Sequence, residues 1–461
     1  MTAAVATTTG SGIERWLDAF REAAPALPGA DSPWLAALRQ RSMERFARTG
    51  WPTNRLENWR HTSLAFLDKT EFTPAALRES VDLSRSRAAV ERLREELGRA
   101  GHWFAFVDGQ AAPGLSHPGS LPAGVDIAPL SQFLASRQGG EPADSLQALF
   151  DDDDSGEAPA ALNTAFAADG AVIRVDRGVV VDEPIHLVFV AASAGGAFHL
   201  RNLITAAEGA QLTVVEHYLG IGDDAQDDPT LTTTVTRIRA GAGACVTHVK
   251  LQQERPTAVH LGSLDMRQAR ASRCVSHSMS FGARLSRNDI AARLDDEGGE
   301  VLLNGLYHVD GRRHVDHHTS IRHEKPGCTS QEFYRGVLDD AGRGVFTGRI
   351  RVAPGAVRTD AVQRTDSLLL SPQAETDARP ELEIYADDVK CAHGATVGQI
   401  DETSLFYLRS RGFDPEHARN MLIHAFAVQA LDRIEIPAVR GRVSAALRAC
   451  LPGAQSLENL S

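Results

Sequence analysis

The stretch from about residue 169 to about residue 400 constrains the fold more than any other feature of the sequence. One short sequence pattern, called the phrase below, recurs along it: a small or charged residue, a glycine and then alternating apolar positions. Alternating apolar residues between glycine turns predict short β-strands, and helical periodicity is nearly absent here. The clearest copies are "DGAVIRV" at Gly170, "RGVVV" at Gly178, "EGAQLTVVEHY" at Gly209, "AGACVTHVKL" at Gly243, "GGEVLLNGLYHV" at Gly299 and "RGVFTGRIRV" at Gly344.

Short strands joined by glycine turns suit a sandwich, a barrel or a β-solenoid. A region of this length exceeds one ordinary sandwich, whereas stacked coils grow by repetition. The spacing of the phrases is irregular. We therefore predict a mainly β fold with helical ends, in which a β-helix core occupies residues 151–400.

Residues 1–150 are predicted to form an N-terminal helical domain that includes a small segment of mixed secondary structure. In "DSPWLAALRQRSMERF", Ser32 is placed to cap a helix that has Pro33 at its first position and ends at Gly50. A second helical stretch, "SRSRAAVERLREELGRAG", also ends at a glycine. The acidic stretch "FDDDDSGEAPA" that follows predicts an exposed connector to the β-rich region.

Residues 401–461 are predicted to form a C-terminal helical domain. Asp401 can cap one helix, which Gly412 ends, and Asp414 can cap a second one that has Pro415 at its first position. The second helix is apolar on two sides, so we expect both sides to be buried, within its own domain or against a docked partner. One side carries Ala418, Met421, Leu422 and Ala425, and the other carries Ile423, Phe426, Ala427, Ala430 and Ile434.

Composition and charge exclude several classes of function. The formal net charge of -12, without a Lys/Arg-dense stretch interleaved with aromatic residues, argues against nucleic-acid binding. The five cysteines do not form the even, dense framework of a secreted disulfide domain. The first residues lack the features of a signal peptide, and no apolar stretch reaches the roughly 20 residues that cross a bilayer. We therefore expect a cytoplasmic protein without a membrane partner.

Cys391 and His393 form a pair of candidate metal ligands in "DDVKCAHGAT". In a strand, residues at i and i+2 project from one face, so a thiolate and an imidazole could approach the same ion. Zinc and iron–sulfur sites usually take three or four protein ligands, and no second Cys or His stands beside the pair. Either another segment or subunit supplies the remaining ligands, or Cys391 is a small buried hydrophobe and His393 an ordinary hydrogen-bonded side chain.

A second group of candidate ligands lies in "YHVDGRRHVDHHTSIRHE". If residues 314–319 form a strand, His314 and His318 share one face and His317 points to the other. A mononuclear metal site and a polar strand face are the two interpretations. The histidines of this stretch are His308, His314, His317, His318 and His323, and Asp310 and Asp316 accompany them.

Several catalytic motifs are missing from the sequence. It contains no G-x-x-x-x-G-K-[ST] phosphate loop, no G-x-S-x-G elbow and no H-E-x-x-H helix. If the protein takes part in an ATP-driven process, a partner must therefore supply the nucleotide chemistry. Two alternatives from other classes are a metal-dependent enzyme built on the stretch 308–323 and a β-helix protein that acts on carbohydrates, although the latter are typically exported.

Three segments resemble one known family. The segment "RPELEIYADDVKCAHGATVGQIDETSLFYLRSRGFDPEHARNMLIHAFA", at residues 379–427, closely resembles the SufD type of the SufB/SufD family, which belongs to the Suf iron–sulfur cluster assembly machinery. The segments "YRGVLDDAGRGVFTGRIRVAPGA", at 334–356, and "NRLENWRHTSL", at 54–64, fit the same family. The K-C-x-H-G form around Cys391 is that of SufD, because SufB carries a glutamate-containing segment there.

The resemblance implies a fold and a function. It implies a right-handed parallel β-helix flanked by helical domains, in a SufD-like subunit of a SufBCD complex that assists iron–sulfur cluster assembly without being an enzyme. Cys391 and His393 match family positions at the interface with SufB, where iron enters and a nascent cluster forms, and no cofactor is expected in the isolated chain. A SufB-like scaffold and a stand-alone metal-binding β-helix protein are the alternatives.

The resemblance also implies partners. A SufB-like scaffold would pair with the chain as a heterodimer, and a homodimer of the isolated chain stays open. A SufC-like ABC ATPase would dock on the C-terminal helices and hydrolyse ATP. The residues that match the docking segment are Leu405, Phe406, Tyr407, Arg409, Met421 and Phe426.

Overall fold

Most of the chain folds into a solenoid of β-strands with helices at both ends. The computed structural model describes residues 12–78, 83–135, 150, 158–222 and 228–451. Within them the strands form two sheets of ten strands each. The predicted β-helix with helical ends is confirmed.

The element bounds follow. The helices are α1 (Gly12–Ala23), α2 (Pro33–Thr49), α3 (Leu83–Glu96), α4 (Leu130–Ala135), α5 (Ala158–Phe166), α6 (Glu402–Ser410), α7 (Pro415–Leu431) and α8 (Pro437–Ala449). The first sheet contains β1 (Thr73–Pro74), β4 (Val125–Pro129), β5 (Ala171–Val175), β7 (Gly196–Ala206), β9 (Leu231–Ala240), β11 (Val259–Gln268), β13 (Leu285–Leu294), β15 (His314–His323), β17 (Arg343–Val352) and β19 (Glu375–Ile384). The second sheet contains β2 (His102–Val107), β3 (Gln110–Ala111), β6 (Ile185–Ala191), β8 (Gln211–Gly220), β10 (Cys245–Gln253), β12 (Arg273–Ser280), β14 (Glu300–Val309), β16 (Thr329–Leu338), β18 (Thr359–Leu369) and β20 (Val389–Gln399).

Successive strands alternate between the two sheets, so one strand of each sheet makes one coil. From β5 to β19 in the first sheet and from β6 to β20 in the second, neighbouring strands are one coil apart and pair in parallel. The strands β9 to β19 of the first sheet begin at residues 231, 259, 285, 314, 343 and 375, which explains the irregular spacing of the phrases. The turns absorb the differences in coil length.

Alternation along each strand sends one set of side chains into the space between the sheets. The largest apolar cluster fills this space and includes Ile185, Leu212, Ile238 and Met266. Several glycines of the repeated phrase occupy turns, where Gly209 and Gly243 have φ of 67° and 64°, whereas Gly344 lies within β17. Glycine reaches this left-handed region without the steric cost of a Cβ atom, so the phrase is a turn followed by a strand.

The interior also holds a cluster of buried charges, which we call the interior ion cluster: Glu216, Lys250, Glu254 and His260. Lys250 Nζ donates to Asn288 Oδ1 at 2.7 Å, and His260 Nδ1 lies 2.6 Å from Glu254 Oε2. Burial alone would raise the pKa of Glu216, but His248 and Lys250 outweigh it and hold that pKa at about 2. Glu216 and Lys250 lie in the second sheet and His260 lies in the first, so the cluster connects the two sheets.

The N-terminal segment packs on the outside of the first sheet. The Trp59 ring lies 3.7 Å from the guanidinium carbon of Arg287, and Arg287 Nη1 donates to Asn58 O and to Asp316 Oδ2. Thr62 Oγ1 donates to Asp316 Oδ2 at 2.6 Å. The segment "NRLENWRHTSL" is therefore an anchor that holds the helical N-terminal part against the solenoid.

Two expectations about the ends are corrected. Residues 151–157 of the predicted connector lie outside the described residues, but Phe150 is buried and residues 158–160 begin the buried helix α5. Helix α7 is only partly buried on its second side: Ile423 and Ala427 are buried on one side, whereas on the other Ala418 is buried but Ala425 is exposed. Among the helices of the described residues, none has the length and apolar content that a bilayer crossing requires.

The predicted helix caps agree better with the structure than these two expectations do. Asp401 accepts hydrogen bonds from the backbone of Thr403 and Ser404, and Asp414 accepts one from His417 N. Ser32 occupies the cap position before α2 but makes no capping hydrogen bond with its side chain.

Candidate functional site

The last coil leaves one end of the solenoid open. In the described part of the chain, β19 pairs only with β17 and β20 only with β18, so each has one unpaired edge. Glu375 N donates to Gly342 O, just before β17, and Tyr385 N donates to Val352 O at its end, so alternation turns the backbone nitrogen of Pro380 toward the open edge. Tyr385 is 58% exposed beside this end. An unpaired strand edge with exposed apolar side chains is a surface that a second chain can cover.

Cys391 lies on the interior face of β20 at this open end. Its strand partner is Ala361, a buried interior residue, and its side chain packs against the largest apolar cluster. Burial and the charge of Asp360 raise the pKa of the Cys391 thiol. The isolated chain therefore holds this sulfur as a half-buried neutral thiol.

His393 lies two residues further along the same strand and on the same face. Its strand partner is Gln363, which is buried, while His393 itself is exposed at the end of the solenoid. The strand prediction for this pair is confirmed by β20. Thiol and imidazole face one region above the last coil, and no third protein ligand within the described residues joins them.

A polar column runs from His393 into the interior. Gln363 Nε2 donates to Glu332 Oε2 at 2.6 Å, and Glu332 is the partner of Gln363 one coil earlier. Burial raises the pKa of the Glu332 carboxyl to about 7. The side chains of Gln363 and Glu332 are thus linked, one coil apart, directly beneath His393.

The histidine-rich stretch forms β15 with the predicted alternation: His314 and His318 lie on its outer face and His317 on its inner face. The ring of His314 bonds to Thr62 Oγ1 at 2.8 Å, and burial lowers its pKa to about 4. His318 Nδ1 lies 3.2 Å from Asp289 Oδ1. The ring of His314 thus contacts the N-terminal segment, whereas that of His318 contacts Asp289 within the solenoid. No group of three or more metal ligands occurs in the described ranges.

Sequence comparisons agree with this architecture. The family described as "SUF system FeS cluster assembly, SufBD core domain" matches residues 189–426, and "SufBD protein N-terminal region" matches residues 11–187. The iron–sulfur cluster assembly protein SufD of Escherichia coli is 32% identical over 90% of this chain and 92% of its own length. The chain belongs to the SufBD family.

Other relatives of this SufBD protein span similar lengths. An iron–sulfur cluster assembly SufBD family protein of Synechocystis is 30% identical over 95% of both chains. The chloroplastic protein ABCI7 of Arabidopsis thaliana is 27% identical over 90% of this chain and 86% of its own length. The matches favour the SufD-like prediction over the SufB-like alternative, and this SufBD protein is a SufD-like iron–sulfur cluster assembly protein.

The residues predicted for ATPase docking fall into two groups. In α6, Phe406 is 71% exposed and Tyr407 is 55% exposed, and Arg409 is exposed beside them. In α7, Met421 is half-buried, and the ring of Phe426 packs toward the solenoid with Arg335 4.6 Å from its centre. Of the residues predicted for ATPase docking in this SufBD protein, the exposed aromatic ones are therefore on α6.

Sequence reasoning missed Gln363 and Glu332. Neither residue belongs to a recognisable motif, and their alignment with His393 depends on the coil lengths. Alternation gives no signal either, because other positions on the same face of these strands, such as Ser330 and Thr365, are also polar.

Proposed function

We propose that this protein contributes one half of a two-chain site for iron–sulfur cluster assembly, in which Cys391 and His393 bind iron or the nascent cluster. The observation that carries the proposal is the open end of the solenoid: both residues face it, and both last strands have a free edge. A SufB-like partner that adds its own strands there would cover the pair and supply the remaining ligands. Two side chains alone do not complete an iron–sulfur site.

The chemistry of the pair suits transient binding. A half-buried thiol with a raised pKa must lose its proton to bind iron, so binding competes with protonation and releases a proton. Neutral imidazole and thiolate both bind iron well. Iron and sulfide are the cargo of this site, and the chain has no resident cofactor in this proposal.

The aromatic surface on α6 supports the second half of the proposal, an ATPase partner. Phe406 and Tyr407 expose large rings next to Arg409, and exposed aromatic clusters rimmed by polar residues are typical of protein contacts. The chain contains no phosphate loop of its own. A SufC-like ATPase bound at α6 would pull on α7, which packs on β14 and β16, and so transmit nucleotide-driven movement to the coils near the open end.

The proposal predicts that His393→Ala lowers the yield of cluster in a complex reconstituted with a SufB-like protein and an ATPase. Loss of a residue that only orients a metal ligand typically lowers affinity or activity by about tenfold or more, so loss of a ligand itself is expected to cost at least that much. His117→Ala is the matched control, because His117 is also partly exposed but lies near β2, at the opposite end of the second sheet. Cluster yield is read from visible absorption, and circular dichroism checks the fold. An unchanged yield in His393→Ala rejects the role of this histidine.

The ATPase contact is tested separately. The double variant Phe406→Ala, Tyr407→Ala is expected to weaken binding of a SufC-like ATPase at least tenfold, because buried aromatic residues dominate the binding energy of protein interfaces. Tyr385→Ala removes a ring of similar exposure at the open end and should leave ATPase binding unchanged while weakening the SufB-like pairing. Both affinities are measured by calorimetry. Equal ATPase affinity in the double variant and the wild type would place the contact elsewhere.

A further inference from the structure

Gln363 has a buried acceptor atom that no residue in the described part of the chain uses. Its side chain is 1% exposed and its amide nitrogen donates to Glu332 Oε2. Its amide oxygen, Oε1, is buried and accepts no hydrogen bond from the described residues. A buried acceptor without a donor costs about 1–3 kcal/mol, so such an atom calls for an explanation.

In the register of β18 and β20, the side chain directly above Gln363 is that of His393. Adjacent strands lie about 4.8 Å apart, and side chains aligned across them can hydrogen-bond. Two other aligned pairs show this in the same sheet: His248 Nδ1 lies 3.2 Å from Ser276 Oγ, and Asn304 Nδ2 lies 2.9 Å from His277 Nδ1. An amide and an imidazole one coil apart therefore bond elsewhere in this solenoid.

The position of the Gln363 amide depends on Gly348 across the interior. A Cβ atom at residue 348 would lie 2.0 Å from Gln363 Nε2 and 2.9 Å from its Cδ. The amide thus occupies the space that a side chain at 348 would take. Because Nε2 is held by Glu332, the oxygen is the atom left for a contact with the last coil.

Covering the open end changes which hydrogen-bond partners are available to the His393 ring and the Gln363 amide. In the isolated chain His393 is exposed, so water satisfies its ring nitrogens. A partner that closes over the end removes this water, and a ring N–H then requires a protein acceptor. Gln363 Oε1 is a buried acceptor one coil below that requires a donor.

We propose that Gln363 is a positioning residue for His393: in the closed complex its amide oxygen accepts the ring N–H and leaves the second ring nitrogen for iron. The hydrogen bond on one nitrogen decides which nitrogen carries the lone pair and fixes the orientation of the ring. This inference rests on the proposed function of His393 and adds the residue that orients it. Glu332 and Gly348 act by holding the amide in place.

The test measures metal affinity in the complex of the full chain with a SufB-like partner, with Co²⁺ as a spectroscopic probe. Gln363→Met keeps the volume and removes the acceptor, and it is expected to weaken Co²⁺ binding about tenfold. The exchange variant Glu332→Gln, Gln363→Glu keeps both the buried pair and an acceptor oxygen at 363, so it should bind Co²⁺ within about twofold of wild type. Gly348→Ala displaces the flexible amide and should weaken binding as Gln363→Met does.

A double-mutant cycle separates positioning from a general structural role. In a His393→Ala background, Gln363→Met should have no further effect, because the ring that it orients is absent. An equal loss in both backgrounds, or no loss with His393 intact, overturns the proposal. The single variant His393→Ala reports on the proposed function by itself: if it leaves Co²⁺ affinity unchanged, that function and this inference both fail, whereas a loss there with no effect of Gln363→Met sinks the inference alone.

Discussion

Lys250→Met is expected to lower the free energy of unfolding by about 3–5 kcal/mol, because it breaks a buried ion cluster by removing one sign of charge. Lys250 donates to Asn288 inside the solenoid, and its ammonium group offsets the charges of Glu216 and Glu254. Methionine fills a similar volume but removes this positive charge from beside both carboxylates. Burial lowers the pKa of Lys250 to about 8, so the ammonium form is already costly to bury and depends on these partners.

Urea unfolding at pH 7, followed by circular dichroism, measures this loss. Lys325→Met is the matched control, because Lys325 is exposed in the turn between β15 and β16, and surface substitutions usually stay within about 0.5 kcal/mol. A loss below about 1 kcal/mol for Lys250→Met would mean that water or a rearranged side chain replaces the ammonium group. The interior ion cluster would then not be a determinant of stability.

Glu332→Gln is expected to stabilise the protein at pH 8 by as much as about 3 kcal/mol and to have little effect near pH 4. The pKa of Glu332 is raised from 4.5 to about 7 in the folded chain. The carboxyl group is protonated in both states below about pH 4.5, so its burial costs little there. Between pH 4.5 and 7 the Glu332 carboxyl is ionised in the unfolded chain but still protonated in the folded chain. The free energy of unfolding therefore falls as the pH rises, by about 1.4 kcal/mol for each unit of difference between the folded and unfolded pKa values.

Glutamine is neutral throughout, so the variant should lack this slope between pH 4.5 and 7 and keep its oxygen as the acceptor for Gln363. Glu216→Gln is an opposite control: the pKa of Glu216 is lowered to about 2 by its cationic neighbours, so its loss should destabilise the chain at neutral pH. Urea midpoints at pH 4.5, 6 and 8 measure both effects. Parallel pH profiles for wild type and Glu332→Gln would contradict the assignment.

The sequence predicts those parts of the fold that depend on local patterns. Alternation with glycine turns predicts the strands, and the common face of Cys391 and His393 follows from a period of two. The caps at Asp401 and Asp414 are likewise set within four residues. These features need no knowledge of how the coils stack.

Contacts between coils could not be predicted in the same way. The column of Glu332, Gln363 and His393 exists because two unequal coil lengths bring these positions into register. The bond between Lys250 and Asn288 crosses from one sheet to the other. Adding or removing one residue in the turn between two of these strands would shift their register, so that a different side chain would occupy each position in the column. Secondary-structure propensities do not determine this register.

Helix α5 was missed for another reason. Its residues Ala158–Phe166 are all buried, so the segment has no polar side from which a helical period could be detected. The polar residue Asn163 inside it donates to Leu200 O and Thr233 O of the first sheet. Its helical state follows from the surface that it covers.

Pro380 has a consequence for how many copies can join at the last coil. A solenoid that ends in two bare strands could in principle recruit strand after strand and grow into a fibre. At Pro380 the edge of β19 lacks the donor that an incoming backbone would need, so a ladder along β19 is broken at its middle. Strand addition at this end of the solenoid is therefore favoured along β20 and disfavoured along β19.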